Sequence, residues 1–186
     1  MYLRLCNGKA KIDPEREARF YEFAWGYLPS HGFAQYEVSN YSLAGHACRH
    51  NLNTWSMNEW LGYGPSACSQ FQGVRRKNLP DIEKWSAGML GSKDPQFVEV
   101  EHLESTDLAR DALLFGLRMN QGVNLHEIGR KFSIPFTSFS GISKFLDRLV
   151  DEGLALSDGH FSYRLTQSGR MLADAVAKEI PPLQSQ

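Results

Sequence analysis

Four side chains in the first half of the chain are of types that can do chemistry: Arg49, His50, Asn51 and Cys68. A neutral imidazole can ligate a metal, so His50 is the first candidate ligand. A guanidinium binds a carboxylate through two parallel hydrogen bonds, which makes Arg49 a candidate anion partner. Each also has a structural alternative. His50 and Asn51 could make hydrogen bonds within a loop, and Arg49 could form a salt bridge with Glu37. Cys68 could be a small packed residue.

These candidates lie in the segment from Gln35 to Gln70, whose elements must position them. The alternation of residues 34–39 predicts a strand, and the irregular residues 40–49 predict a loop leaving its C-terminal end. The small residues from Gly62 to Ala67 would let a ligand or another backbone segment approach closely. Five aromatic side chains could line a flat apolar wall or belong to the core. They are Tyr36, Tyr41, Trp55, Trp60 and Tyr63.

The same segment resembles the oxygen-independent coproporphyrinogen III oxidase-like radical SAM proteins, specifically their HemW-type haem-chaperone branch. The resemblance rests on the runs YEVSN, RHN and LGYG and on a tryptophan after RHN. Thr54 stands where this family usually has tyrosine, and Cys68 stands where it usually has histidine. The matching positions are Tyr36, Glu37, Ser39, Asn40, Arg49, His50, Asn51, Trp55, Gly62 and Gly64.

The resemblance implies a tetrapyrrole-related function, with haem or another porphyrin as the ligand. At the matched positions it implies His50 as the metal ligand, with Arg49 and Asn51 beside it. Arg49 would pair with a porphyrin propionate, and Cys68 would offer a thiolate as an alternative ligand to iron.

The cysteines limit what this chain could do by itself. Cys6, Cys48 and Cys68 are odd in number and far apart, which disfavours a disulfide framework and fits a reducing, cytoplasmic compartment. Radical SAM enzymes hold a [4Fe–4S] cluster with the motif CxxxCxxC, which this sequence lacks. The cluster and S-adenosylmethionine of the intact family are therefore not expected in this chain alone, and neither is catalysis.

Composition sets broad limits on partners. The chain has 186 residues, a formal net charge of −1 and 42% hydrophobic residues, enough for a real core but without overall attraction to nucleic acid or anionic membranes. No run approaches the roughly 20 apolar residues of a membrane span. The N-terminal sequence MYLRLCNGKAK lacks the apolar core of a signal peptide. The expected location is the cytoplasm.

The first half of the chain predicts α/β structure. Asp13 and Pro14 open a helix over residues 14–30, with Phe20, Phe23 and Tyr27 on one apolar face. With the strand at 34–39 and a weak strand at 1–5, residues 1–95 are interpreted as the C-terminal part of a β/α barrel. Its missing strands would leave an open edge for an upstream radical SAM half or a second copy of the chain. The basic run in residues 75–77 could attract an anion or form a solvated turn.

The second half, residues 96–186, predicts a mainly α domain with winged-helix element order after a linker at residues 91–95. Helices are expected at 106–119, after Asn124 and around 142–150, followed by a hairpin turning at Asp158-Gly159, a last helix capped by Thr166, and a frayed tail from Pro181. The alternative function is a non-catalytic interaction module for nucleic acid or protein. From residue 101 onward there are 9 Lys plus Arg and 11 Asp plus Glu, so a nucleic-acid partner is disfavoured.

The other histidines show no ligand spacing, and the sequence assigns them no role. They are His31, His46, His102, His126 and His160.

Overall fold

The computed structural model describes residues 13–91 and 97–184. The chain forms two compact units, residues 1–47 and residues 48–186. The strand predicted at residues 1–5, Cys6 and the domain boundary predicted at residues 95 and 96 lie outside the described residues. No helix in the described ranges is both long and apolar enough to cross a membrane.

The first unit contains the predicted helix α1, Pro14–Ser30. The Asp13 side chain accepts a hydrogen bond from the backbone nitrogen of Arg16 at 3.1 Å, which satisfies one of the free donors of the first turn. Two short strands follow, β1 (Ala34–Glu37) and β2 (Asn40–Ser42), and they pair antiparallel.

The strand predicted at 34–39 is therefore wrong at its C-terminal end, because the chain turns back after Glu37. The Glu37 carboxylate makes this turn. Its Oε1 accepts hydrogen bonds from the backbone nitrogen of Ser39, at 2.8 Å, and from the side-chain amide of Asn40. Side-chain to backbone bonds of this short range compete with continued strand pairing. Residues predicted as loop thus form β2.

Three side chains on the apolar face of α1 are largely exposed among the residues that the structure describes. Phe20 is 60% exposed, Phe23 is 62% exposed and Tyr27 is 48% exposed. Phe23 and Tyr27 stack on each other, with ring centroids 5.1 Å apart. This face is an exposed aromatic surface, which we call the α1 aromatic face.

The second unit begins with α2 (Arg49–Trp55). Arg49 was predicted to be the last residue of a loop, but it is the first residue of this helix. The strands β3 (Cys68–Phe71), β4 (Val74–Asn78) and β5 (Phe97–His102) form an antiparallel sheet with β4 in the centre. The helix α3 (Ile82–Leu90) lies between β4 and β5 in the sequence.

The basic run at 75–77 belongs to β4, so the solvated-turn interpretation is wrong. The pairing of β4 with β5 also joins residues on both sides of the predicted boundary. Val74 lies opposite His102, and Asn78 lies opposite Phe97.

The remaining elements follow the predicted order of short helices and a hairpin. They are α4 (Ser105–Arg118), β6 (Val123–Asn124), α5 (Leu125–Phe132), a 3₁₀ helix (Phe136–Phe139), α6 (Ser140–Asp151), β7 (Ala155–Ser157), β8 (Ser162–Leu165), α7 (Gln167–Met171) and α8 (Ala173–Glu179). The caps predicted at Asn124 and Thr166 are confirmed, since each side chain accepts a backbone hydrogen bond three residues later.

Three details differ from the predictions. The loop of the hairpin covers residues 158–161 and not Asp158 and Gly159 alone, and the last helix breaks at Leu172. The tail is held as far as Gln184, whose backbone nitrogen donates to the Ser138 oxygen at 3.0 Å. The Gln184 side chain also accepts from the hydroxyl of Ser140 at 2.7 Å, so residues 181–184 are not frayed.

The core of the second unit lies between α4, α5, α6 and the antiparallel sheet β6–β8–β7. Its centre consists of large side chains with almost no exposed surface, and their burial is the main stabilising contribution to this part of the fold. They are Leu113, Leu125, Phe139, Ile142 and Leu146.

Candidate functional site

The first turn of α2 carries the three predicted polar residues. Arg49 and His50 are exposed, and Asn51 is half-buried. Among the described residues of the second unit, neither the Arg49 guanidinium nor the His50 imidazole has a hydrogen-bond or ion-pair partner. The loop hydrogen bonds proposed for His50 as a structural alternative are thus not made in that unit. Both side chains can meet a ligand from solvent.

The other end of α2 is held in place by two helices. Lys131 of α5 donates from its Nζ to the backbone oxygen of Ser56 at 2.7 Å and to Oδ1 of Asn58 at 3.1 Å. Arg118 of α4 lies over the ring of Trp55, 5.5 Å from its centroid. A cation at the C-terminal end of a helix complements the partial negative charge there. Partial burial lowers the pKa of Lys131 by removing water from its ammonium group.

Thr54, at the position of the family tyrosine, points back onto its own helix. Its hydroxyl donates to the backbone oxygen of His50 at 2.9 Å. At position 54 this helix therefore presents a hydroxyl that is bonded to its own backbone, and no aromatic ring.

Cys68 is exposed with a free thiol at the start of β3. Its backbone is tightly fixed: the Trp60 indole donates to the Cys68 oxygen at 3.0 Å, and Trp60 pairs with Gln70 through two backbone hydrogen bonds. In the described part of the chain no hydrogen bond or ring contact joins Cys68 to His50. The two predicted ligands therefore do not form one cluster by direct contact.

The small residues of this segment were predicted to allow close approach of a ligand or of another backbone segment. At Gly62 the group that approaches closely is the backbone of Cys68. A Cβ on Gly62 would collide with the carbonyl of Cys68. The side chain of Asn78, a buried residue of β4, donates to the oxygens of Gly62, at 3.3 Å, and Gly64, at 2.9 Å. Gly64 has a φ of 102°, which favours glycine. This segment is a packed wall against the sheet.

Of the five aromatic residues considered for a flat wall, Tyr63 is 81% exposed, while the others are half-buried. None of the five is fully buried, so the core interpretation is not met by any of them. The half-buried residues are Tyr36, Tyr41, Trp55 and Trp60.

The basic run of β4 is used internally. Arg75 donates from Nη2 to Gln70 at 2.6 Å and to Asp111 of α4 at 2.5 Å. Lys77 forms a salt bridge with Glu99 at 3.2 Å, and the Arg76 guanidinium lies 4.5 Å from the centroid of the Phe97 ring. These contacts tie the sheet to itself and to α4, so they leave less charge for an outside anion.

The described residues contain no group of three or more His, Cys, Asp or Glu side chains that could hold a metal ion. A metal held in this part of the chain would need ligands from elsewhere, as an iron porphyrin has in its ring nitrogens.

One histidine without a role in the sequence analysis has a structured surrounding. The His126 ring of α5 stacks on Phe136 with centroids 4.0 Å apart, and Phe161 meets it edge-on at 5.2 Å. The only sequence signal was a histidine four residues before Arg130 on one helix. The two phenylalanines come from other elements, which spacing could not reveal.

Sequence comparison places these features among known proteins. The chain is 31% identical over 176 residues to the haem chaperone HemW of Mycobacterium tuberculosis (strain ATCC 25618 / H37Rv), covering 92% of this chain and 41% of that protein. It is also 31% identical over 176 residues to the mitochondrial radical S-adenosyl methionine domain-containing protein 1 of Bos taurus, covering 88% of this chain and 39% of that protein.

HemW of Bacillus subtilis (strain 168) is 26% identical over 177 residues, with 94% of this chain and 45% of that protein covered. This chain is homologous to the C-terminal portion of HemW-type proteins. It spans less than half the length of the relatives it matches. No protein-family model matches it.

The HemW-type relationship agrees with the structural comparison. Coproporphyrinogen III oxidase (HemN) from Escherichia coli, a radical SAM enzyme, superposes with a TM-score of 0.68 at 16% sequence identity, covering 90% of this chain and 41% of that chain. At this identity the likeness shows the fold, which is mixed α/β. The HemW-type and HemN-like relatives do not favour the alternative of a nucleic-acid module.

Proposed function

We propose that this chain is the tetrapyrrole-binding portion of a HemW-type haem chaperone, with haem held at the first turn of α2. The observation that carries the proposal is the exposed imidazole of His50, which lies in the RHN run and has no partner among the described residues of its unit. A neutral imidazole is a suitable axial ligand for haem iron. The HemW relatives are named haem chaperones, and in this chain haem would be cargo.

The neighbouring side chains fit the rest of the ligand. Arg49 is exposed beside His50, so its guanidinium is available for a propionate carboxylate. Asn51 is half-buried on the same turn and could donate a further hydrogen bond. Cys68 is a second candidate ligand, through its thiolate, at the start of β3, and it would serve a tetrapyrrole that approaches from the sheet. The hydrogen bond from Lys131 to Ser56 fixes the C-terminal end of α2, and so helps to position the first turn of this helix.

We further propose that the chain is not catalytically competent alone. The sequence has three separated cysteines and no CxxxCxxC motif, so its residues do not fit the three-thiolate loop of a radical SAM cluster. In the intact family, the cluster and S-adenosylmethionine supply radical chemistry. This chain would contribute binding and positioning of the tetrapyrrole, in the cytoplasm.

The architecture we propose is the end of a β/α barrel in residues 1–95 followed by a winged-helix-like domain in residues 96–186. Support for the second part comes from the order α4, α5, α6 and the β7–β8 hairpin. Support for the first part comes from the fold shared with the radical SAM enzyme HemN. The α1 aromatic face would be covered by an upstream radical SAM half or by a second copy of the chain.

A haemin titration followed in the Soret band tests the α2 site. We expect His50→Ala to bind less haemin than wild type, and Thr54→Tyr to bind it more tightly because an aromatic contact is restored. His102→Ala, another exposed histidine of the second unit, is the matched control. If His50→Ala titrates like wild type in both amplitude and midpoint, the α2 site is wrong.

A further inference from the structure

The strand β5 forms one edge of the antiparallel sheet β3–β4–β5. Its inner side pairs with β4 in unbroken register from Glu99 to His102. Within the described residues no other strand pairs with β5, so the backbone N–H and C=O groups on its outer side have no partners there. Alternate residues of an edge strand direct these groups outward, so β5 offers a template for one further strand.

The outer edge of β5 carries little of the protection that such edges usually have. Proteins commonly block an exposed edge with a proline, a bulge or a covering segment. The irregularity in the pairing of β5 is confined to its start, where the register shifts between Lys77 and Asn78 of β4. From Val98 to His102 every residue is exposed and none is a proline. An edge with these properties fits β-strand addition, in which main-chain hydrogen bonds supply affinity and alternate side chains supply specificity.

The side chains of β5 differ between its two faces. Successive residues of a strand point to opposite faces, so Val98 and Val100 share one face and Glu99 and Glu101 share the other. Val98 is 46% exposed and Val100 is 55% exposed, although both are branched apolar residues. A strand added to this edge would therefore meet carboxylates on one face and apolar side chains on the other.

The two carboxylates of β5 are only partly neutralised by β4. Glu99 accepts a hydrogen bond from Lys77 at 3.2 Å, and Glu101 lies 3.9 Å from the Nη1 atom of Arg75. The Nη2 atom of Arg75 is bonded to Asp111 instead. Both glutamate side chains remain largely exposed. Because β4 is basic and β5 is acidic, a basic residue on the next strand would continue the alternation, and opposite charges across neighbouring strands are stabilising.

We propose that the outer edge of β5 is a docking site for an extended segment of a partner protein, in which lysine or arginine alternates with branched apolar residues. The segment adds to the sheet as a fourth strand, with its main chain bonded to β5. Its cations lie opposite Glu99 and Glu101, and its apolar side chains pack beside Val98 and Val100. The site uses no residue of α2 and does not depend on the proposed haem function.

A second copy of this chain does not fit the edge. If two β5 strands paired antiparallel around Val100 with their equal faces together, Glu99 of one copy would lie opposite Glu101 of the other. Like charges directly opposite each other in a sheet are destabilising. Charge complementarity therefore selects a basic segment as the occupant.

A hexapeptide of alternating lysine and valine with blocked ends is the probe, and amide hydrogen exchange is the first readout. We expect the probe to protect amides in residues 97–102 of the wild-type chain, because an added strand bonds the outward N–H groups. One probe N-methylated on its lysines and another N-methylated on its valines separate strand addition from charge attraction. Alternate residues of an added strand face β5, so one of the two probes should lose binding. Binding of both methylated probes like the parent would overturn the proposal.

Glu99→Lys combined with Glu101→Lys reverses the charge of the edge. This variant should bind the lysine–valine probe about tenfold more weakly in fluorescence anisotropy, and it should gain affinity for a glutamate–valine probe, because two attractive cross-strand pairs become repulsive. Glu15→Lys combined with Glu17→Lys is the matched control, since these exposed glutamates have the same spacing on the helix α1. Unchanged affinity in the β5 variant, or an equal loss in the control, would contradict the site.

Two further measurements keep the test decisive. Circular dichroism melts check folding, and if the charge-reversed variant does not fold, Glu99→Gln combined with Glu101→Gln takes its place and should also bind the lysine–valine probe more weakly than wild type. Hydrogen exchange of the wild-type chain without a probe is measured at several protein concentrations. Protection of residues 97–102 that rises with protein concentration would identify a second copy as the occupant and would overturn the proposed partner.

Discussion

The ammonium nitrogen of Lys131 lies 2.7 Å from the backbone oxygen of Ser56, so a residue of α5 holds the end of α2. Lys131→Met removes this bond and the one to Asn58, but keeps an unbranched apolar stem. We expect the free energy of unfolding to fall by about 1 kcal/mol, since the group is largely exposed. Haemin affinity at the α2 site should fall with it.

Urea unfolding of Lys131→Met and of Lys144→Met checks this prediction. Lys144 is an exposed lysine of α6, and it controls for the loss of one positive charge. Equal midpoints for the two variants would show that the contact of Lys131 with Ser56 contributes nothing to stability.

Arg75 joins the β3–β4–β5 sheet to α4 through Asp111, with Nη2 and Oδ2 2.5 Å apart. Arg75→Met should cost about 2 kcal/mol, because it also leaves the buried Gln70 side chain without its donor. A double-mutant cycle with Asp111→Asn should give a coupling energy of about 1 kcal/mol. Additive effects of the two substitutions in chemical unfolding would mean that the ion pair is not formed.

Ionisation of Tyr163 should lower the free energy of unfolding at alkaline pH. Burial raises the pKa of its phenol above 10.0, and its hydroxyl donates to Asp147 at 2.8 Å. A pKa that is higher in the folded state contributes stability below the unfolded pKa, and that stability is lost as pH rises through the folded pKa. Wild type should therefore lose more stability above pH 10 than Tyr163→Phe. Parallel stability curves for the two proteins in that range would contradict this.

Gly62 should tolerate no side chain, because a Cβ there would collide with the Cys68 carbonyl. We expect Gly62→Ala to destabilise the second unit by more than about 2 kcal/mol, as the collision involves two backbone segments. Gly88→Ala in α3 is the matched control, since nothing lies within 4 Å of its added Cβ. That change should stabilise the helix by about 0.5–1 kcal/mol. Thermal melts that fail to separate the two variants would refute the close approach.

The α1 aromatic face should make the isolated chain associate. Phe20 and Phe23 are each more than half exposed on one helix, and exposed apolar patches drive contact between proteins. Light scattering after size exclusion should show species above the 21.1 kDa monomer, and Phe20→Ser with Phe23→Ser should reduce them. Tyr63→Ser, at a single exposed aromatic, is the control. A monodisperse monomer at high concentration would contradict both the association and the barrel interpretation.

The sequence predicted the features that are formed by residues close to each other in the chain. The caps at Asp13, Asn124 and Thr166 could be predicted because a capping side chain bonds only a few residues away. The turn after Glu37 could not, because YEVS alternates like a strand, and the strand ends where Ser39 and Asn40 donate hydrogen bonds to the Glu37 carboxylate.

Features made by distant residues were beyond the sequence patterns. The run at 75–77 reads as solvated because its partners, including Asp111 and Glu99, come from other elements. The motif around His50 was visible because the candidate residues are contiguous. The surroundings of His126 were not, since Phe136 and Phe161 approach it only after the hairpin and the 3₁₀ helix have folded.

The pairing of β4 with β5 has a consequence for how genes of this kind could recombine. A crossover placed between these strands would separate Arg76 from Val100 and Val74 from His102, which lie opposite each other in the sheet. The exchanged segment would contain β5 without its partner β4, and unpaired strand edges promote aggregation. A crossover near Ala47 would separate no paired strands among the described residues, and it would transfer β3, β4 and β5 together with the helices that follow. A recombined gene is therefore expected to encode a folded protein more readily when β3 and β4 are exchanged together with β5 and the helices that follow it.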